Sequence, residues 1–257
     1  MELFENIFSD NNLKDNNLSG FVTGIVKEIY DEKYPGMIKA EIFMTDGTVN
    51  VTDWMRVIVP YAGANKGMYF LPDIGDEVAI VFERGEIERP YVIGCLWNKV
   101  DTIPESTVTQ ENTIKKLRTK GGHEIIFDDT KDKGKIDIIT TKKNKISMDD
   151  ENSLITITTS GDDGDNIIKI DSKGGIITLD AKKKIMLDAE GTKITIDKEA
   201  KKIALEADNI NLEGKTIKIK GQSVSIEGST TDIKAAGTMN VKSDGATNIK
   251  GAMVKIN

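Results

Sequence analysis

Side chains that could act as nucleophiles, general bases or metal ligands are few in this chain. His123 is the single histidine and Cys95 the single cysteine among 257 residues. Ser-His-Asp and Cys-His catalysis would both have to use His123. Cys95 cannot form an intrachain disulfide, and its apolar run, residues 92–97, predicts a buried small hydrophobic side chain. The sequence favours structural roles for both residues and predicts no catalytic residue.

Acidic side chains are numerous, but their arrangement is not that of a catalytic or metal site. The cluster of Asp162, Asp163 and Asp165 suggests calcium, yet it lacks the D-x-D-x-D-G spacing and the distal glutamate of an EF-hand loop. Other aspartates recur at the ends of short apolar segments, whereas catalytic carboxylates form a unique close pair. These residues are Asp149, Asp150, Asp171, Asp180, Asp188 and Asp197. We expect solvated turn positions, no bound metal, no cofactor and no enzymatic activity.

The overall charge also excludes several function classes. A formal charge of -7 and a pI near 5.0 argue against a general binder of nucleic acid or of anionic membranes. The first residues are acidic and lack the basic and apolar regions of a signal peptide. No stretch approaches the ~18 apolar residues of a membrane helix. We expect synthesis in the cytoplasm without a signal peptide, no nucleic-acid partner and no small-molecule substrate.

The elements that carry these residues follow two different patterns, and the first pattern predicts a small closed barrel. Five runs rich in β-forming residues are joined by turn sequences such as Tyr34-Pro35-Gly36. The runs are residues 21–29, 37–44, 55–60, 77–82 and 91–97. Five strands in roughly 80 residues suit an OB-fold. We therefore predict an arm at 1–17 that docks on a partner, an OB-fold domain at 18–100 and a polar neck at 101–121.

The second pattern, over residues 122–257, is an internal repeat of short strands of the form apolar-x-apolar. It begins with Ile125 and Phe127 and continues through about sixteen units to Val254 and Ile256. Because side chains alternate along a strand, each unit directs its apolar residues to one side and its Thr, Ser, Lys and Asp to the other. From Leu179 onward, the second apolar residues are spaced by 7 to 9 residues.

This spacing bears on the oligomeric state. A single-chain β-helix needs several strands per coil and a repeat of about 20 residues or more, but each unit here is one strand and one turn. Three intertwined chains could each supply one side of a triangular tube, about 75 Å long at ~4.8 Å per strand. The predicted trimer core comprises Ile196, Leu205, Leu212, Ile219, Ile226, Ile233, Val241 and Ile249. A meander in a soluble sandwich remains an alternative, whereas these strands are too short for a porin.

The run Trp54-Met55-Arg56-Val57, followed by residues 71–78 (LPDIGDEV) and 92–98 (VIGCLWN), resembles the spike proteins of contractile injection systems. This family comprises phage baseplate spikes and the VgrG proteins of type VI secretion. Residues 120–129 (KGGHEIIFDD) are similar to the family segment that begins its β-helix. The resemblance covers about residues 18–257. It implies an all-β homotrimer, with an OB-fold followed by an intertwined β-helix, that is driven through a target envelope when a sheath contracts.

The resemblance also implies partners. Because the first barrel strand begins close to the start of the sequence, we expect a separate hub protein at the OB end, in a phage tail, tailocin or related particle. Spikes of this family with their own apex resemble one another in a His-x-His iron site, which this sequence lacks. A PAAR-type tip protein is therefore expected on Met253, Val254, Ile256 and Asn257, with transient contact to the target membrane. The alternatives are a trimeric tail fibre, for receptor binding or depolymerisation, and a toxin-carrying effector module.

Overall fold

The computed structural model describes residues 20–43, 49–161 and 164–255 of the chain. The predicted arm at 1–17 lies outside the described residues. The described chain is almost entirely β-structure, and the predicted all-β class is confirmed. It divides into two compact units, Met1–Met186 with Thr195–Ile203 and Leu187–Ile194 with Ala204–Asn257.

The barrel is built from five strands that match the predicted runs closely and one short strand that was not predicted. They are β1 (Phe21–Glu28), β2 (Met37–Phe43), β3 (Val49–Val51), β4 (Met55–Val57), β7 (Glu77–Phe82) and β8 (Pro90–Cys95). A small hairpin, β5 (Ala62–Gly63) and β6 (Lys66–Gly67), lies in the long loop after β4. The order β1-β7-β8-β4-β2 closes through pairing of β1 with β2, and β3 adds to β2. The predicted five-stranded OB barrel is confirmed.

Alternation along the barrel strands explains its core. In β2 every second side chain is buried, and β7 supplies Val78, Ile80 and Phe82. The core also contains Val26, Ile38, Ala40, Ile42, Met55 and Val92. Gly24 allows two strands to approach closely, because an added Cβ would lie 3.0 Å from the Glu41 carbonyl oxygen and from Ile80.

A seven-stranded antiparallel sheet follows the barrel. Its strands pair in sequence order: β9 (Ile114–Arg118), β10 (Glu124–Asp128), β11 (Lys135–Ile139), β12 (Lys145–Asp149), β13 (Leu154–Thr159), β14 (Asn166–Asp171) and β15 (Ile176–Asp180). The strands β16 (Lys184–Ala189), β17 (Thr192–Asp197) and β18 (Lys202–Glu206) form a three-stranded sheet. The repeat thus begins as a meander whose neighbours belong to one chain.

From residue 207 to residue 255, the described chain contains no hydrogen-bonded strand. We call residues 207–255 the C-terminal segment. Every residue in it is exposed, including apolar residues such as Leu212, Ile219 and Val241. The repeat pattern therefore continues in the sequence where strand pairing within the chain has ended.

Candidate assembly surface

One face of the seven-stranded sheet carries two parallel columns of apolar side chains, which we call the apolar ladder. Register places Ile138 opposite Ile146, Ile146 opposite Ile157, and Ile157 opposite Ile168. From β10 to β15 the ladder comprises Ile125, Phe127, Ile136, Ile138, Ile146, Met148, Ile155, Ile157, Ile168, Ile170, Ile177 and Leu179. Ile146 is still 38% exposed and Ile168 44% exposed. A contiguous apolar face of this kind marks an interaction surface.

The opposite face of the same sheet is mixed, since the register places Ile139, Leu154 and Ile167 on it, and its charged side chains are paired within the chain. Asp137 accepts a hydrogen bond from the Ser147 hydroxyl at 2.6 Å and lies 2.8 Å from the Lys145 ammonium. Arg118 and Glu124 are 2.8 Å apart. Exposed ion pairs contribute little to stability, about 0–1 kcal/mol each. They nevertheless match the charges of this face within the chain. Its apolar residues Ile139, Leu154 and Ile167 are half-buried, whereas most residues of the ladder are exposed.

The aspartates at strand ends hold the turns. Asp149 accepts a hydrogen bond from the Asn152 backbone N–H at 2.9 Å, Asp171 from Gly174 at 2.6 Å, and Asp197 from Ala200 at 2.9 Å. These backbone bonds, and a nearby lysine in each case, lower the pKa of Asp149 and Asp197. The turn role predicted for Asp149, Asp171 and Asp197 is confirmed.

The turns also mark where the chain stops reversing direction. Upstream turns contain residues with positive φ, including Lys143 at 65° and Ser153 at 55°, and the last of them is Lys201 at 49°. No described residue after Lys201 has positive φ. Tight two-residue hairpins need positive φ, so the C-terminal segment does not double back by such turns. In the sequence, the seven-residue steps begin after Leu205, at the same point.

Several glycines of the C-terminal segment lie close to the carbonyl oxygen of the residue two positions later. An added Cβ at Gly221 would lie 2.9 Å from the Ser223 carbonyl oxygen, and at Gly228 it would lie 3.3 Å from that of Thr230. Gly214, seven residues before Gly221, has the same geometry with a wider spacing. These close approaches therefore recur with the seven-residue step of the sequence repeat.

The predicted trimer-core residues are exposed within one chain. Ile196 lies in β17 and Leu205 in β18, and the six others lie in the C-terminal segment. The single chain does not assemble them into a core. Of the predicted tip-docking residues, Met253 and Val254 are exposed, and Ile256 and Asn257 lie outside the described residues.

The structure places the single histidine of the sequence in a hairpin turn and the single cysteine at the end of a strand. His123 lies in the hairpin between β9 and β10, where its backbone carbonyl accepts from Thr119 N–H at 2.9 Å. The prediction of a buried Cys95 is wrong, because this residue is exposed at the end of β8. Val92 points into the barrel, so Ile93 and Cys95 alternate outward. Partial desolvation and the Asp76 carboxylate raise the pKa of the thiol.

The acidic cluster is only partly described, since Asp162 and Asp163 lie outside the described residues and Asp165 is exposed. Within the described ranges, no three His, Cys, Asp or Glu side chains converge on a point that could hold a metal ion. The same ranges contain no helix with the length and hydropathy of a transmembrane span.

Two surface features of the barrel were not predicted. Tyr61, Met68, Tyr69 and Phe70 are exposed around a cavity of about 620 Å³ in the loop after β4. The signal in the sequence is that Lys66 is the only charged residue between positions 58 and 72.

The second feature is a cluster of cations on aromatic rings. The Lys39 ammonium lies 4.9 Å from the centre of the Trp54 ring, and Trp54 stacks on Tyr34. Arg56 lies over Tyr91. Partners within the chain thus occupy these aromatic faces.

Comparison with known proteins agrees with the barrel. Residues 22–97 match the family model of the type VI secretion system/phage-baseplate injector OB domain. The matched residues span β1 to β8 and include the Trp54 to Val57 run.

Curated relatives extend the similarity beyond the barrel. The chain is 30% identical over 138 residues to type VI secretion system spike protein VgrG1c of Pseudomonas aeruginosa, covering 49% of this chain and 19% of that protein. VgrG1b of the same organism is 29% identical over 136 residues, covering 49% of this chain and 18% of that protein. The actin cross-linking toxin VgrG1 of Vibrio cholerae is 30% identical over 97 residues, covering 36% and 9%. The chain thus spans about a fifth of the length of the first two relatives. The predicted resemblance to VgrG-like spike proteins is confirmed.

Proposed function

We propose that this chain is a non-enzymatic structural protein, one protomer of a homotrimeric central spike of a contractile injection particle. The observation that carries the proposal is the C-terminal segment: its apolar repeat continues without strand partners in the same chain. Backbone N–H and C=O groups in extended strands need partners when they are buried. Side chains such as Ile219 and Ile226, 71% and 69% exposed, need a dry environment to contribute to stability.

In the proposal, two other copies of the chain supply both the backbone hydrogen-bond partners and the dry environment for the apolar side chains. In the proposed trimer, the apolar ladder and the apolar residues of the C-terminal segment face a common axis. The predicted core residues Ile196 to Ile249 lie on that axis. Positive φ angles of the described residues end at Lys201. This supports a change in the proposed trimer, from a sheet formed separately within each of the three chains to strands of the three chains wound around one another. The proposed domains remain an arm at 1–17, an OB-fold at 18–100, a neck at 101–121 and a β-helix at 122–257. The neck is not without regular structure, because its residues Ile114–Arg118 form β9, which pairs with β10.

The similarity to spike proteins supports a role for this chain within an injection particle. We propose that the OB end attaches to a separate hub protein and that a PAAR-type protein covers Met253 to Asn257. The spike would be a component of a phage tail, tailocin or extracellular particle, made in the cytoplasm and driven through the target envelope by sheath contraction. The name of the Vibrio cholerae relative refers to a toxin, but the chain covers only 9% of that protein.

Sedimentation of the purified chain at micromolar concentration tests the proposal. We expect a species of three times the 28.2 kDa chain mass. Negative-stain images should then contain rods of about 75 Å beyond a globular end, as one strand per repeat requires. A folded monomer with compact images would exclude the spike.

A further inference from the structure

The barrel carries an exposed apolar patch close to the point where β1 begins. Phe43, the last residue of β2, pairs with Val49 of β3. The register of β1 with β2, continued by one residue, places Phe43 diagonally across from Phe21. We call Phe21, Phe43, Val49 and Val51 the barrel patch. All four point away from the barrel core, and each is between 50% and 61% exposed.

The barrel patch is bordered by an open strand edge. Among the described strands β3 pairs only with β2, so the other backbone edge of β3 is free. Lys27 of β1 and Glu41 of β2 already form an ion pair with each other. The patch therefore offers an apolar contact rather than a charged one. Exposed apolar side chains beside an open edge are typical of a docking surface.

The segment that precedes the barrel has the residues to cover this patch. Gly20, the first described residue, comes one position before Phe21. The arm at 1–17 is apolar at four positions whose spacing places them on one face of a helix. They are Leu3, Phe4, Ile7 and Phe8. The twelve positions from Phe8 to Gly20 can span up to about 40 Å, so the arm is long enough to fold back onto the barrel.

We propose that the arm packs its apolar face on the barrel patch of its own chain. Its attachment at Gly20 favours this surface, because a tether one residue from the patch raises the effective concentration of the arm there. The same tether favours the arm's own barrel over the barrel of another chain. The contact lies within one chain, so the proposal does not depend on the proposed trimer.

The other exposed apolar surface of the barrel, the loop around Tyr69, is farther from the tether. An added Cβ at Gly36 would lie 3.9 Å from the Tyr69 ring, so this loop lies beside the start of β2. Gly36 is seven residues before Phe43, a distance of about 23 Å along an extended strand. The loop around Tyr69 therefore provides a matched control surface for the arm.

Disulfide trapping in the full-length chain tests the contact. In a Cys95→Ser background, Ile7→Cys is combined with Val51→Cys or, as the control, with Tyr69→Cys. Under mild oxidation we expect the first pair to form an intrachain disulfide at least about tenfold faster than the control pair, measured by mass spectrometry of unreduced digests. The proposal is overturned if the first pair forms no faster than the control pair, or if its disulfides join two chains.

Hydrogen exchange of the arm gives a second test without introduced cysteines. We expect the amides of residues 3–8 to exchange several-fold faster in Phe43→Ser than in the unmodified chain, and Tyr69→Ser to behave like the unmodified chain. Because Phe43 is 61% exposed, its substitution should leave the barrel folded. Equal exchange in all three proteins would contradict the proposal. Should Phe43→Ser fail to fold, the disulfide pairs decide.

Discussion

Replacing Ile219 by alanine tests the proposed axis most directly. Within one chain Ile219 is 71% exposed, so the substitution should barely affect the isolated protomer. Complete burial of an isoleucine side chain contributes about 1.5–3 kcal/mol. The exposed 71% leaves about 1–2 kcal/mol per chain to be gained on assembly, or about 3–6 kcal/mol per trimer. Alanine forfeits most of this gain and leaves a cavity as well.

Lys218→Ala is the matched control, because the neighbouring side chain points away from the axis. Both proteins are compared by sedimentation at falling concentration and by unfolding rate in guanidinium. We expect Ile219→Ala to dissociate at higher concentration and to unfold faster, while Lys218→Ala behaves like the unmodified chain. Ile219→Lys should prevent assembly, since it places three like charges together in an apolar tube. Equal behaviour of the two alanine variants would refute the assignment of inner and outer faces.

Three further predictions concern parts of the fold within one chain. Ile80→Ala, in the barrel core, should lower the free energy of unfolding by about 2–5 kcal/mol, measured by urea denaturation. The lowered pKa of Asp149 means that its contribution is present above the unfolded pKa, about 3.9, and is lost as pH falls through the folded value. Unfolding of the unmodified chain should therefore accelerate below about pH 4, and Asp149→Asn should reduce that acceleration. Gly221→Ala should slow trimer assembly or weaken the trimer, because its Cβ would lie 2.9 Å from the Ser223 carbonyl oxygen, whereas Gly237→Ala, with open space around it, should be neutral. Unchanged stability of Ile80→Ala or a flat pH profile would contradict the first two, and equal assembly of both glycine variants would contradict the third.

The barrel was predictable because apolar and polar side chains alternate along its strands. Ile38 and Ile42 are buried on one side of β2, and the runs before them end at turn sequences. Strand β3, residues Val49–Val51, was not predicted, since it has only three residues and all of them are exposed, although its Val-Asn-Val sequence does alternate. Cys95 is exposed although it lies in a continuous apolar run, because strand geometry turns alternate residues of such a run away from the core.

The candidate assembly surface was only partly predictable. The apolar-x-apolar pattern placed Ile146 and Ile157 on one face correctly, because the alternation of side chains is local. The in-chain pairing of β9 to β15 was not deduced, since strands of equal length can pair with their own chain or with another. The steps shorten to seven residues after Leu205, close to the last described residue with positive φ, Lys201, but one intertwined winding was predicted for all of residues 122–257. The exposed apolar loop around Tyr69 and Phe70 could not be predicted, because its apolar residues follow no period.

The end of positive φ at Lys201 has a consequence for how the protein reaches its native state. Strands β9 to β15 pair with their sequence neighbours, so their formation requires only short loop closures and does not depend on protein concentration. In the proposed trimer, residues 207–255 cannot pair until three chains have met, so this step is concentration-dependent. Each newly made chain would therefore carry a finished sheet and an unfinished tail. Dilution would prolong the life of that half-folded species without changing the rate at which the sheet appears.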